Sequence, residues 1–249
     1  MRIVELPEIL DALDEEGGLA AIGDGFRRRH RGSVQLADVA HINFEDPPGD
    51  CHVKGGYMAG DDVFVFKFAT SFYRNPEQGL SSSNGHMIVV SAKTGEQLAM
   101  LKDQGVLTDT RTAMAGAIAA RAIARPGAKV LGVVGTGIQA KMQGEMIARL
   151  LGLDEILVYG RSADKAAVLA EELGGKAGDL AGLCARADLI DTTTPSTSPV
   201  LTADLVRPGT RIIAVGAGTP GKQELETART AEARLIVDSA MQCAHHGEA

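Results

Sequence analysis

The sequence predicts an α/β chain. Its second half is a doubly wound parallel sheet, and its first half is a mixed, largely antiparallel α+β domain. Three observations support this. From Lys129 to Val237, short β-branched runs alternate with helical stretches, the rhythm of parallel strands joined by right-handed crossovers. From Val34 to Leu101, strand patterns follow one another with only Gly, Pro and Asn turns between them. Between the two halves lies an alanine-rich segment, Leu107 to Ala124, that reads as one helix stopped by Pro126-Gly127.

Residues 1–32 read as a short strand and a helix with Pro7 near its start. The cluster Arg27-Arg28-Arg29-His30-Arg31 suits that helix's C-terminus, where cations meet the negative end of the dipole. Strands are expected at roughly 38–45, 52–58, 63–69, 86–91 and 97–102, with Thr94-Gly95 as a hairpin between the last two. The run from Asp62 to Ala69 alternates strictly. Phe64, Phe66 and Phe68 face one way; Val63, Val65 and Lys67 face the other. Lys67 among valines is either a sheet-edge lysine with its amine in water or an anion-binding cation. Lys54, in His52-Val53-Lys54-Gly55-Gly56, has the same two readings. Thr108 or Asp109 is expected to cap the next helix. That puts Arg111 in its first turn, where a cation opposes the helix dipole by roughly 0.3–1 kcal/mol. An arginine set against that preference, beside free N–H groups, is a candidate to hold a carboxylate or phosphate.

The stretch from Lys129 to Ala140 is the most informative. An apolar run with the β-branched content of a buried strand turns through Gly135-Thr136-Gly137-Ile138-Gln139-Ala140 into a helix ending near Leu151. The first glycine permits the turn, the second lets backbone approach a pyrophosphate, and Ala140 lets the helix lie close on the strand. This strand, turn and helix order predicts a Rossmann-type dinucleotide site; the alternatives are a tight βα turn in an unliganded α/β domain and a methyltransferase loop. The rhythm continues with strands at 155–159, 176–177, 188–192, 211–215 and 234–237. Helices are expected over 164–173 and 180–185, and from about Gln223. Bound ligand belongs at the carboxyl ends of these strands, beside the loops opening at Gly135, Gly160, Thr193 and Gly216. In the loop after the second strand, Gly160-Arg161-Ser162 stands where NAD-type domains carry a carboxylate for the ribose diol. A guanidinium and a hydroxyl suit a 2′-phosphate, which favours NADP; alternatively Arg161 stacks on the adenine and NAD is accepted.

Composition narrows the function classes. With 249 residues, a net charge of −7 and a pI near 5.4, the chain is not a general nucleic-acid surface. Cys51, Cys184 and Cys243 are odd in number and far apart, which fits a reducing cytoplasm rather than a disulfide framework. No apolar run reaches the roughly 18 residues of a membrane span, and the N-terminus carries no signal-peptide pattern. No His/Cys/Asp spacing, His245-His246 included, reads as a metal site, and no Gly-x-Ser-x-Gly elbow is present.

With these stretches in hand, the chain resembles the ornithine cyclodeaminase/mu-crystallin family. The matching motifs are HVKGGY at His52–Tyr57, VFKFA at Val65–Ala69, GLSSSNG at Gly79–Gly85, LTDTRTAMAGAIAAR at Leu107–Arg121, VVGTGIQAKMQ at Val133–Gln143 and AVGAGTPGKQEL at Ala214–Leu225. The resemblance implies a substrate-binding and dimerisation domain over 1–112 and a dinucleotide-binding domain over 113–249. It implies hydride exchange between NADP (or NAD) and the nitrogen-bearing carbon of a small amino or imino acid, in a homodimer. Lys67 and Arg111, with Lys54, would clamp the substrate carboxylate and polarise the reacting centre. Ser82, Gly135, Thr136, Gly137, Ile138 and Gln139 would face the cofactor, as would Arg161, Ser162, Thr192, Thr193, Thr194, Val215, Gly216 and Arg111. Two departures stand out. Gly218 occupies the place of the cyclodeaminases' aspartate, which handles the amine protons; ammonia elimination with ring closure needs several such transfers, so a simple imine reductase is favoured. Family chains also run on past the position of Gly247-Glu248 to complete the first domain, a completion this chain is expected to lack. The alternatives are a cyclodeaminase with bound NAD and a non-catalytic NADP or small-ligand binder.

Overall fold

Two sheets organise the chain in this computed structural model, which describes residues 1–218 and 221–246. Thr219 and Pro220 of the second glycine loop and the Gly247-Glu248 pair lie outside the described residues, as do the side chains of His245 and His246. By contact density the chain divides into Met1–Arg111 and Thr112–Ala249.

The first unit holds a seven-stranded sheet. Its strands are β1 (Arg2–Glu5), β2 (Val34–Leu36), β3 (Ala40–Phe44), β4 (Gly49–Met58), β5 (Val63–Phe72), β6 (Ser83–Ser91) and β7 (Gln97–Lys102). The order is β1-β7-β6-β5-β4-β2, with β3 also on β4, and every pairing but β1 on β7 is antiparallel. The expected strands are all present, and β4, β5 and β6 run longer than their apolar patterns because ladder bonds extend through polar residues such as Thr70 and Asn84. The single expected N-terminal helix is two, α1 (Leu6–Ala12) and α2 (Glu15–His30). The break falls at Asp14, whose carboxylate caps α2 by accepting from Gly17 N–H at 2.8 Å. Arg28 in the last turns of α2 pairs with Asp61 at 2.9 Å and donates to Ala59 O.

The second unit holds the parallel sheet, strand order β10-β9-β8-β11-β12. The strands are β8 (Val130–Val134), β9 (Glu155–Tyr159), β10 (Lys176–Ala177), β11 (Leu189–Thr192) and β12 (Arg211–Ala214). All four ladders are parallel. The connecting helices are α4 (Ile138–Leu151), α5 (Ala163–Glu172) and α6 (Leu180–Arg186). The order reverses between β8 and β11, so a switch point opens above those two strands. Leu183, Cys184 and Ala187 of the α6 region pack on Val134, Leu157 and Ile190 to form the core of one sheet face.

The helix between the halves, α3 (Val106–Ile123), corrects two expectations. Its start is held by Asp103, which is 1% exposed and accepts from Leu107 N–H at 3.1 Å; Thr108 and Asp109 lie inside the helix. A short polar side chain three or four residues upstream of the first free N–H caps as well as one at the apparent boundary. Arg111 therefore sits in the second turn, beyond the strongest part of the dipole. Two further expectations fail near the end. Gln223–Glu226 is extended, with Leu225 bridging to Leu201, and the helix α7 (Thr227–Glu232) begins later. Residues 234–237 form no strand: Leu235, Ile236 and Val237 are exposed and join no ladder. A β-branched run is a strand only where a neighbour accepts its backbone bonds. The last helix, α8 (Ala240–His246), was not evident from the pattern.

Candidate functional site

In the first unit, strand alternation and register gather a row of polar side chains on one sheet face. Asp50, His52 and Lys54 alternate along β4, and opposite them on β5 stand Ser71, Ala69 and Lys67. His41 on β3 lies opposite His52 and stacks on it, ring centroids 4.2 Å apart. Lys54 and Lys67 are directly opposed, an arrangement of like charges that costs stability. β5 lies between β4 and β6, so Lys67 is a central-strand lysine and the edge reading is excluded. Burial, then the charges of Arg111 and Lys54, push the Lys67 ammonium down to about 8, against the weaker pull of Asp103 and Asp109. Lys54 is lowered too, by burial and then by Arg111. Lys54, Lys67 and Arg111 thus form one cationic group within the unit. Two lysines opposed on one sheet face and a helix arginine whose charge acts on both repel one another, a repulsion that an anion would relieve.

Beside this group lies a network absent from the sequence reading. Tyr73 donates to Asp50 Oδ2, and His52 Nε2 lies 3.3 Å from Asp50 Oδ1. His52 Nδ1 is buried without a hydrogen-bond partner among the described residues. Burial and then Lys54 lower the His52 pKa, while burial and then the hydrogen bond to Asp50 raise Tyr73 to about 12. The HVK motif held this signal, since His52 and Lys54 are two residues apart on one strand. Ser82 sits just before β6, half-buried, its carbonyl accepting from Phe72 N–H at 2.8 Å.

In the second unit the glycine turn has the form its sequence predicts. Gly135 has φ +135°, closed to other residues, and its N–H donates to Tyr159 O at 2.9 Å. Gly137 is the N-cap of α4 and brings no side chain to cap it, and the first turn carries no acid. A helix N-terminus of this kind, at a glycine with no acid in the first turn, suits an anion. A side chain at Gly137 would meet nothing within 4 Å, whereas one at Gly160 would strike Thr136 Cγ2 at 2.4 Å. Thr193 Oγ1 is buried, has no partner among the described residues, and lies 2.6 Å from the place of a Cβ on Gly135. A glycine-started helix, a glycine at positive φ and an orphan hydroxyl beside it together fit a dinucleotide pyrophosphate. Ile138 is 55% exposed next to this turn and Gln139 is half-buried, accepting from Gln143 Nε2 at 3.1 Å. Beside the turn, an open surface groove between α4 and α5 is lined by Thr136, Ile138, Lys165 and Val168 among others.

The expected ribose selector lies in the loop after β9 and at the start of α5. Arg161 is exposed at the loop, but Ser162 caps α5 by accepting from Lys165 N–H at 3.4 Å. Thr192 ends β11, Thr193 and Thr194 follow it, and Val215 N–H donates to Thr192 O at 2.9 Å, so the loops after β11 and β12 lie side by side. Gly218 is exposed with open space where a side chain would begin.

The family profile for ornithine cyclodeaminase and mu-crystallin matches residues 8–249. The chain belongs to the ornithine cyclodeaminase/mu-crystallin family. Within the family, it is 35% identical over 245 residues to the alanine dehydrogenase of Archaeoglobus fulgidus, covering 97% of this chain and 74% of that one. It is 34% identical over 255 residues to the iminosuccinate reductase of Paracoccus denitrificans, covering all of this chain and 79% of that one. The crystal structure of that reductase with NAD+ superposes with a TM-score of 0.89 at 30% identity, over 100% of this chain and 78% of that one. An archaeal alanine dehydrogenase dimer with bound NAD gives the same TM-score at 31% identity, over 98% of this chain and 76% of that one. Among the described residues, no group of His, Cys, Asp and Glu could hold a metal, and no helix is long and apolar enough to cross a membrane.

Proposed function

We propose that this family member is an NAD(P)H-dependent reductase of a small imino acid, or equally the dehydrogenase of the corresponding amino acid. The observation that carries it is the cationic group of Lys54 and Lys67, opposed on one sheet face, with the Arg111 charge acting on both, in a chain whose other unit presents a glycine turn at a helix N-terminus. Arg111 and Lys67 hold the substrate carboxylate, with Lys54 as third cation. Gly135, Thr136, Gly137, Ile138 and Gln139, with Thr193, hold the pyrophosphate, and Arg161 contacts the adenosine end. Bound NAD(P)H supplies the hydride to the carbon of the C=N bond. Held between cations, the carboxylate is fixed and the imine carbon made more electrophilic; this orientation is worth several kcal/mol. A Lys67 amine titrating near 8 is matched to giving or taking a proton at the substrate nitrogen near neutral pH.

The test is oxidation of NADH and NADPH, followed by absorbance, over keto acids with ammonia or methylamine, cyclic imino acids and iminosuccinate. Turnover with one of these and its loss in Lys67→Ala establish the reading. Ornithine converted to proline without added NADH would instead make the chain a cyclodeaminase. Gly218, with no side chain to carry protons, supports the reductase.

A homodimer is part of this proposal. The sheet face opposite the lysines carries Phe66 and Phe68 on β5, Ile42 and Phe44 on β3 and Ile3 on β1, all between 37% and 57% exposed. A contiguous apolar face of this kind marks an interface. The archaeal alanine dehydrogenase of the same fold is a dimer.

A further inference from the structure

Glu224 lies in the extended segment before α7 and is fully buried. Its Oε2 accepts from Thr192 Oγ1 at 2.9 Å and from Gly216 N–H at 2.8 Å. Its Oε1 accepts from Thr194 N–H at 2.5 Å and from Thr194 Oγ1 at 2.8 Å. Thr192 and Thr194 belong to the end of β11 and its loop, and Gly216 to the loop after β12. One carboxylate therefore joins two loops that open at the carboxyl end of the parallel sheet, beside the switch point.

The chemistry of the four donors calls for a carboxylate. Two of them are backbone N–H groups, one at each oxygen, and a backbone N–H cannot reverse its role. A side-chain amide would turn its NH2 toward one of them, leaving a buried donor unmatched. Gly216 belongs to the same device: a Cβ there would come 2.1 Å from Thr194 O and 2.6 Å from the Glu224 carboxyl. The loops meet backbone to backbone with the carboxylate between them. Asp191, one residue before Thr192, is wholly buried and neither of its oxygens has a partner among the described residues. Burial, then the nearby Glu224, raise its pKa well above the ordinary carboxylate range, which favours its neutral form. A buried, fully donated carboxylate is a costly way to close two loops unless their spacing matters.

We propose that Glu224 is a positioning residue whose carboxylate sets the spacing of the 192–194 and 215–216 loops, and so fixes where the nicotinamide end of the dinucleotide sits. The proposal rests on the dinucleotide reading above. The probes are NADH or NADPH, whichever the wild-type chain binds more tightly, and the matching ADP-ribose, which keeps the adenosine diphosphate and lacks the nicotinamide. Both are titrated calorimetrically into the full chain as wild type, Glu224→Gln and Thr192→Val. Glu224→Gln should weaken the reduced dinucleotide by about tenfold and leave ADP-ribose unchanged within twofold; Thr192→Val, which removes one donor, should weaken it about threefold in the same selective way. Equal weakening of both probes, or no weakening of either in a cooperatively melting variant, overturns the role of Glu224 alone. A wild-type chain that binds neither probe overturns the dinucleotide reading and this proposal with it. If Glu224→Gln does not fold, Thr192→Val decides by the same selectivity.

Discussion

Lys67 is placed against its own electrostatic interest. It stands opposite Lys54, close to Arg111, in the middle of a sheet. The pKa of about 8 is the measurable consequence, and its sign gives two predictions. For imine reduction the protonated lysine is the useful form, so kcat/KM should fall as pH rises through about 8. In Lys67→Arg, whose guanidinium does not titrate there, that limb should disappear from the profile. For stability the reasoning runs through the protons bound by each state. The folded lysine releases its proton near 8 and the unfolded one near 10.5, so the unfolded chain binds more protons between those values. The folded state carries the full penalty below 8 and sheds it as pH rises toward 10.5. Lys67→Met should therefore unfold at higher urea than the parent at pH 7, with the gap closing above pH 8. Arg111→Ala should lower kcat/KM by about 10- to 100-fold, the range expected for loss of a charged hydrogen bond to a carboxylate. Lys67 was legible in the sequence as a lysine among valines, and Arg111 as a cation near a helix start. His52, Asp50 and Tyr73 were not, because what joins them is a hydrogen-bond network across β4 and the end of β5, which alternation within one strand does not reveal.

Among the elements, α3 and α4 meet at a glycine. A Cβ on Gly116 would sit 1.8 Å from Gln143 Oε1, and Gln143 is fully buried. Gly116→Ala should destabilise by about 1–3 kcal/mol, because the overpacking outweighs the gain in helix propensity of about 1 kcal/mol. Adding Gln143→Ala should recover part of that loss, and a double-mutant cycle in chemical denaturation would measure the coupling. The βα elements were the most readable part of the chain. Their strands are buried on both faces and spell continuous apolar runs, and their turns demand glycine at a positive φ. Helix starts were less readable. Asp103 and Asp14 cap from positions that only the folded backbone identifies, and Ser162, a candidate for the ribose, bonds the N-terminus of α5. The 234–237 segment reads as a strand and makes no ladder, since strand formation depends on a partner that the local pattern cannot supply.

At the scale of the molecule, the antiparallel sheet is two-sided in function. One face carries the lysines, the other an apolar surface on which Phe66 and Phe68 remain open to solvent. Placing a charge there, as in Phe68→Glu, should yield monomers by sedimentation while leaving the cooperative melt intact. The same substitution should leave dinucleotide binding by the parallel sheet unaffected. The amino-acid sequence by itself determined the two kinds of sheet, the glycine turn and the candidate cations. Those are properties of periodicity and of residue types at short spacing, which neighbours along the chain decide among themselves. The tertiary structure alone decided that Lys54 and Lys67 face each other, that Arg111 adds its charge to them, and that Glu224 binds two loops together. Those relations join residues on different strands and loops, and strand register and the burial of a carboxylate away from water exist only once the chain has folded.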